Sequence, residues 1–262
     1  MIVKGMDNDV LIEKILKTEI EYPKEFSTYI EKDFGVLFYN PEKKNFHTAN
    51  HAVVYPDKVT DFKAVLEEVR DFYLDRGIIP RLYQPYTDGF LMNNAMLLRT
   101  SGYDIQSYGQ TKFMLLTGEN KIQKKVRLDI KELKEWDERI AFDIMIPNNN
   151  MQAIHQVKSN CSNPKFRVFA AYIQERAVSL ASIFYSDNGV AKLDSLETAE
   201  EIRGKGYARE LINDMVEIHK KESGIPLYLW PLNVTSERLC TDAGFRTLFK
   251  AELASAIYTI KE

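Results

Sequence analysis

The 262-residue chain is 45% hydrophobic and 28% charged with a net charge of −3 at pH 7, the composition of a globular protein long enough for one large core or two modest ones. The weak acidic balance disfavours nucleic acid as a partner, because a binder of phosphate backbones carries a basic face. Without a run of the roughly 18 apolar residues that a membrane span needs, and with two cysteines outside any CxxC spacing and histidines outside any HExxH pair, the chain predicts no membrane segment, no disulfide framework and no metal site.

The opening segment "MIVKGMDNDVLIEKILKTEI" carries acidic residues inside its apolar pattern, unlike a targeting peptide, and the expectation is a cytoplasmic protein. Further along, "AVLEEVRDFYLDRGIIPRLYQP" (64–85) places Leu66, Val69, Phe72 and Tyr73 at helical spacing, stops at Gly77, and passes through Ile-Pro into the strand-like "RLYQ". "ARELINDMVEIHKKESGIPLYLWP" (208–231) does the same, with Leu211, Ile212, Met215 and Ile218, a Ser-Gly stop and the strand "LYLW". A third match follows in each case: "LLRTSGYDI" (97–105) answers "LCTDAGFRT" (239–247). Three matches in one order predict a diverged tandem repeat, the first feature to establish because it sets the architecture.

The polar segment "TGENKIQKK" (117–125) separates the strand "KFMLL" from the strand-like "VRLDI", which divides the chain into 1–118 and 119–262, both of ordinary domain size. In the second part, "KELKEWDERIAFDIM" (131–145) reads as an amphipathic helix. "FRVFAAYI" (166–173), "AVSLASIFYSD" (177–187) and "VAKLDSLET" (190–198) read as successive strands joined by "QER" and the Asn-Gly turn "SDNG". The prediction is an α/β (α+β) fold of two tandem units, each a mixed, largely antiparallel sheet flanked by helices.

Between "VAKLDSLET" and the helix "YARELINDMVEIHK" lies "AEEIRGKG". A helix start offers free backbone N–H groups and a partial positive charge. Gly204 and Gly206 let an oxygen-rich anion approach closely, and Arg203, Lys205 and Arg209 add charge. This chemistry suits a phosphate or pyrophosphate. A Walker loop is excluded, since no Ser or Thr follows Gly-Lys. A GxGxxG fingerprint fails because Arg209 stands at its third glycine. What remains is Arg203-Gly204-Lys205-Gly206-Tyr207-Ala208, the pattern Arg/Gln-x-x-Gly-x-Gly/Ala. It resembles the acyl-CoA pyrophosphate loop of the GNAT (GCN5-related N-acetyltransferase) superfamily, and "NVTSERLCTDAGF" (233–245) resembles the Asn-initiated helix that follows there. The resemblance covers residues 120–262, and the first unit joins it only through the repeat.

The resemblance implies two GNAT-like units. The second would use acetyl-CoA as cosubstrate, without metal, and move its acetyl group by direct attack to an amine of a small molecule or peptide. The protein would act as a monomer or homodimer, with neither nucleic acid nor membrane as partner. Backbone N–H groups from Lys205 to Arg209, notably Gly206 and Ala208, would hold the pyrophosphate. Backbone groups of Leu196 and Thr198 would pair with the pantetheine arm beside a strand bulge usual in the family, and Asn233 would sit at the splay between the strands. Asp194 and Glu197 are the candidate general bases, Glu197 favoured. The family's tyrosine that protonates the leaving thiolate is replaced by Cys240. Three readings stay open: a small buried residue, relief by water or by Tyr207 or Tyr228, or a direct role for the thiol. The alternative function is a non-catalytic acyl-CoA-binding sensor. In the first unit, "YPDKVTDF" (55–62) has no glycine at the corresponding turn, so that unit reads as degenerate, with His51 and "RLYQPYTDGF" (81–90) as candidates for an acceptor wall.

Overall fold

The computed structural model describes residues 7–84, 89–123 and 128–259. Helix α1 (Asn8–Glu21) is followed by β1 (Thr28–Lys32), β2 (Gly35–Tyr39), β3 (His51–Val54), α2 (Phe62–Leu74), β4 (Arg81–Gln84), two short helices α3 (Phe90–Asn93) and α4 (Ala95–Thr100), and the long β5 (Tyr103–Leu116). Then come β6 (Asp129–Leu133), α5 (Glu138–Ile140), α6 (Ile154–Ser162), β7 (Phe166–Ile173), β8 (Arg176–Tyr185), β9 (Ala191–Thr198), α7 (Tyr207–Glu222), β10 (Leu227–Leu229), α8 (Val234–Asp242) and β11 (Phe245–Tyr258). The order β-β-β-α-β-α-β at β7–β11 is matched at β1–β5, where two short helices, α3 and α4, stand in place of the single α8, as the repeat predicts. In each copy the third and fourth strands are parallel, while the other assigned pairs are antiparallel.

Two compact units emerge. One comprises Leu16–Lys112 with the segment from Lys250 onward, and its strand order is β1-β2-β3-β4-β11-β5. Amphipathic α2 buries Phe62, Val65, Leu66, Val69 and Tyr73 against Leu37, Ala52, Leu82, Ala254 and Ala256. Asp61 caps this helix by accepting from the Ala64 N–H at 3.1 Å. The buried Tyr73 hydroxyl donates to the Phe38 carbonyl at 2.8 Å.

The other unit comprises Phe113–Phe249 with the N-terminal residues up to Ile15, in the order β11-β5-β10-β9-β8-β7-β6. Each unit is therefore completed by the last strand of the other repeat: β11 pairs with β4 at Ala256↔Leu82, and β5 pairs with β10 at Leu115↔Tyr228. A linear division at 118/119 follows the repeat, whereas the compact units exchange terminal segments. Part of the expected linker, residues 124–125, lies outside the described residues.

The helix expected over 131–145 is corrected by the structure. Residues Asp129–Leu133 form a strand that pairs with β7 from Asp129↔Tyr172 to Leu133↔Val168. Helix begins only after Asp137, whose side chain accepts from the Arg139 N–H at 3.0 Å, and it continues as a π-helical turn at Ala141–Met145. Long-range pairing with β7 overrides local helix periodicity here. No helix among the described residues is long and apolar enough to cross a membrane.

Candidate functional site

The site grows from an interrupted strand. Across β8 and β9, Leu180 faces Glu197 and Ser182 faces Asp194, so Ala181 alone stands opposite Ser195 and Leu196. Ser195 adopts φ 57°, a left-handed conformation that marks a bulge re-aiming the end of β9. On the other side, β10 pairs with β9 only at Ala191 and Lys192. The two parallel strands part beyond that point, leaving the 193–198 edge without β10. An edge of that kind takes an extended chain by backbone hydrogen bonding.

Directly after β9, a short 3-10 turn (Glu200–Ile202) leads to Gly204 at φ +81° and Gly206 at φ +87°. Gly206 starts the 16-residue α7 with no side-chain cap of its own. The first intrahelical bond runs from the Glu210 N–H to the Gly206 carbonyl at 3.1 Å, and a helix start leaves the preceding N–H groups without intrahelical acceptors. A Cβ placed on Gly204 would meet no atom within 4 Å. Two left-handed glycines thus stand at a helix N-terminus, with open space at Gly204, an arrangement that fits a pyrophosphate.

The basic side chains divide their tasks. Arg203 donates from Nε to the Thr198 carbonyl at 3.2 Å and lies 3.9 Å from the Glu200 carboxylate. Arg209 is bound to Asp242 on α8 at 2.7 Å. Its guanidinium thus ties the start of α7 to α8. Tyr207 is half-buried in the first turn of α7. The Thr198 carbonyl, expected to be open to a ligand, already accepts from Arg203 and from Asn148 Nδ2 at 3.1 Å; Leu196, at the bulge, is the half-buried neighbour on the parted edge.

Glu197 is half-buried, with both carboxylate oxygens engaged. Asn148 Nδ2 donates to Oε2 at 3.3 Å and Asn150 Nδ2 donates to Oε1. Burial raises its pKa above the ordinary glutamate value, opposed by the two asparagine donors and by Arg203, while Asp194 adds to the rise. Asn148 also accepts from the Glu200 N–H at 2.9 Å, which ties the "PNNN" segment (147–150) to the start of the glycine loop. Sequence reading missed Asn148 and Asn150. Their only local signal is an uncharged run of three amides after a proline.

Asn233 caps α8: its Oδ1 accepts from the Ser236 N–H at 3.0 Å, and the Ser236 hydroxyl accepts from the Asn233 N–H at 3.0 Å, a reciprocal capping box. It follows β10 at the end of the parted strands. Cys240 is only 3% exposed on α8, and burial pushes its thiol to about 12, so it packs as a small apolar group and is a poor proton donor. Tyr228 is fully buried, its ring 6.4 Å from that of Phe113, and is a core residue. His51 is buried as well, packed 5.0 Å from the Phe38 ring; burial pulls it down to about 4, which identifies a neutral structural histidine. Of the aromatic stretch 81–90, residues 85–88 lie outside the described residues.

Residues 130–245 match the family model described as "Acetyltransferase (GNAT) family", which spans the bulged strand, the glycine loop and the Asn233 helix. No curated protein matches the sequence. A GCN5-related N-acetyltransferase from Kribbella flavida superposes with a TM-score of 0.65 at 12% identity, covering 95% of both chains. A GCN5-related N-acetyltransferase from Sphaerobacter thermophilus gives 0.59 at 11% identity, over 95% of this chain and 91% of its own. A tandem GNAT protein from the clavulanic acid biosynthesis pathway gives 0.51 at 12% identity, over 80% of this chain and 74% of its own. At these identities the likeness is one of fold. Residues 130–245 thus match the GNAT acetyltransferase family, within a fold like that of the tandem GNAT protein.

Proposed function

We propose that this protein is an N-acetyltransferase that moves an acetyl group from acetyl-CoA to the amine of a small molecule or peptide in a ternary complex. The single observation that supports it best is the conjunction of Gly204 and Gly206 at the α7 N-terminus with the bulged, parted end of β9. Acetyl-CoA supplies the activated acetyl group. The backbone N–H groups of the 205–209 segment bind its pyrophosphate, with Lys205 and Arg203 adding charge. The Leu196 backbone at the bulge orients the pantetheine arm, and Asn233 borders it.

Glu197 takes the proton from the attacking amine. A carboxylate with a raised pKa is a better base at neutral pH than an ordinary glutamate, and Asn148 and Asn150 keep its oxygens aimed. Asp194 adds negative charge that favours a cationic amine on approach. Water serves the departing thiolate in place of Cys240. The setting is the reducing cytoplasm, consistent with two free cysteines.

One observation favours the second reading, a non-catalytic acyl-CoA sensor: the buried thiol at Cys240 cannot replace a phenolic acid. Thiol release from acetyl-CoA, measured across a panel of amines, decides between them. The enzyme reading expects amine-dependent release above background, retained within about threefold in Cys240→Ala, since a packing group makes no transition-state contact. Binding of acetyl-CoA with no amine-dependent release would select the sensor.

A further inference from the structure

The unit without the glycine loop, Leu16–Lys112 with the segment from Lys250, holds a buried guanidinium nitrogen that has no hydrogen-bond partner among the described residues. Arg81 opens β4, half-buried, and its Nε is buried with no hydrogen-bond partner among the described residues. Burial draws the guanidinium below its ordinary pKa, opposed by the Tyr108 phenol. An arginine stays protonated nonetheless. Buried polar groups normally have partners, and an exception asks for an explanation such as a missing ion.

Its surroundings are largely polar and uncharged. Arg81 and Tyr83 share one face of β4, because side chains alternate along a strand, and β11 sets Ile257 and Ser255 opposite them. Ser255 is buried and shares a hydrogen bond with the Tyr108 hydroxyl at 3.0 Å. His51 packs edge-on against Tyr83 at 5.7 Å, and the positive charge of Arg81 helps hold both His47 and His51 neutral. The scaffold does not require this arginine. In the second copy of the repeat the same position after the Ile-Pro pair is Leu227, buried and apolar.

We propose that this face of the β3–β4–β11 segment is an anion site, with Arg81 as its anchor and a carboxylate-bearing small molecule as its ligand. A guanidinium fork matches the two oxygens of a carboxylate, and one formal positive charge matches a monoanion. A phosphate dianion would leave one charge uncompensated, since both histidines are neutral. The site is independent of acetyl-CoA binding and of the acetyltransferase reading.

The test titrates the whole protein with sodium acetate at constant ionic strength, chloride making up the balance. NMR follows the Arg81 Nε–H and the His51 ring protons. The expected result is a saturable shift of both in the wild type, with the binding read at His51 weakened about tenfold in Arg81→Lys, which keeps the charge and loses the fork, and abolished in Arg81→Gln. Inorganic phosphate is expected to bind more weakly than acetate. A non-saturating response of the wild type, or an unchanged response in Arg81→Gln, overturns the site. Tighter binding of phosphate overturns the assignment to a carboxylate. The wild-type titrations decide both points even where an Arg81 variant fails to fold.

Discussion

At Glu197 burial and hydrogen bonding oppose each other, and burial prevails. A carboxyl group whose pKa is raised in the folded state holds its proton more tightly there than in the unfolded chain. Its contribution to stability is complete below the unfolded pKa and is lost as pH rises through the folded value. At neutral pH the ionised Glu197 therefore costs stability. Glu197→Gln should lower kcat/KM by about a hundredfold or more while melting no lower than wild type at pH 7, and its advantage should shrink as pH falls toward the ordinary carboxylate range. Calorimetric scans across pH measure this directly. A variant that is inactive and also less stable at pH 7 would make Glu197 a structural hydrogen-bond acceptor. The residue's candidacy was legible from its place at the strand end. Its donors were not, because Asn148 and Asn150 reach it from 49 and 47 residues away and carry no local periodic signature.

Among the elements, the 147–150 segment is the one that joins Glu197 to the glycine loop. Asn148 alone contacts Glu197, the Thr198 carbonyl and the Glu200 N–H. Asn148→Ala removes all three bonds, each worth about 0.5–1.5 kcal/mol net. Loss of a donor to the carboxylate raises the Glu197 pKa further, so the acid limb of kcat/KM should move to higher pH, with KM for acetyl-CoA rising as the loop loosens. A pH profile that stays in place in Asn148→Ala would show that this bond does not tune the base. The elements around the site were the most legible part of the sequence: α7 announces itself by apolar periodicity after two glycines, and α8 by its Asn233 cap. The 131–145 segment was misread because pairing between β6 and β7, invisible to a local window, decides its start, from Lys131 to Leu133.

For the whole molecule, the tandem repeat was readable from three matched segments, but the exchange of last strands was not, since which strand pairs with β4 is a long-range choice. That exchange makes a prediction. Ending the chain at Phe249 removes Ala254 and Ala256 from the core around α2 and strips β4 of its β11 partner. Hydrogen exchange should speed up in β3, β4 and α2 while β7 and β8 stay protected, whereas an equal loss of protection in both units would contradict the division. The central claim, that the turn at Gly204–Gly206 is a pyrophosphate cradle, is tested most directly by isothermal titration of the whole protein with acetyl-CoA. Gly206→Glu is titrated alongside, with Gly109→Glu as a control for left-handed strain, since Gly109 has φ +70° and open space around it. The account predicts binding by wild type and the Gly109 variant and none by Gly206→Glu. Absence of binding by the wild type, or equal binding by Gly206→Glu, would contradict it.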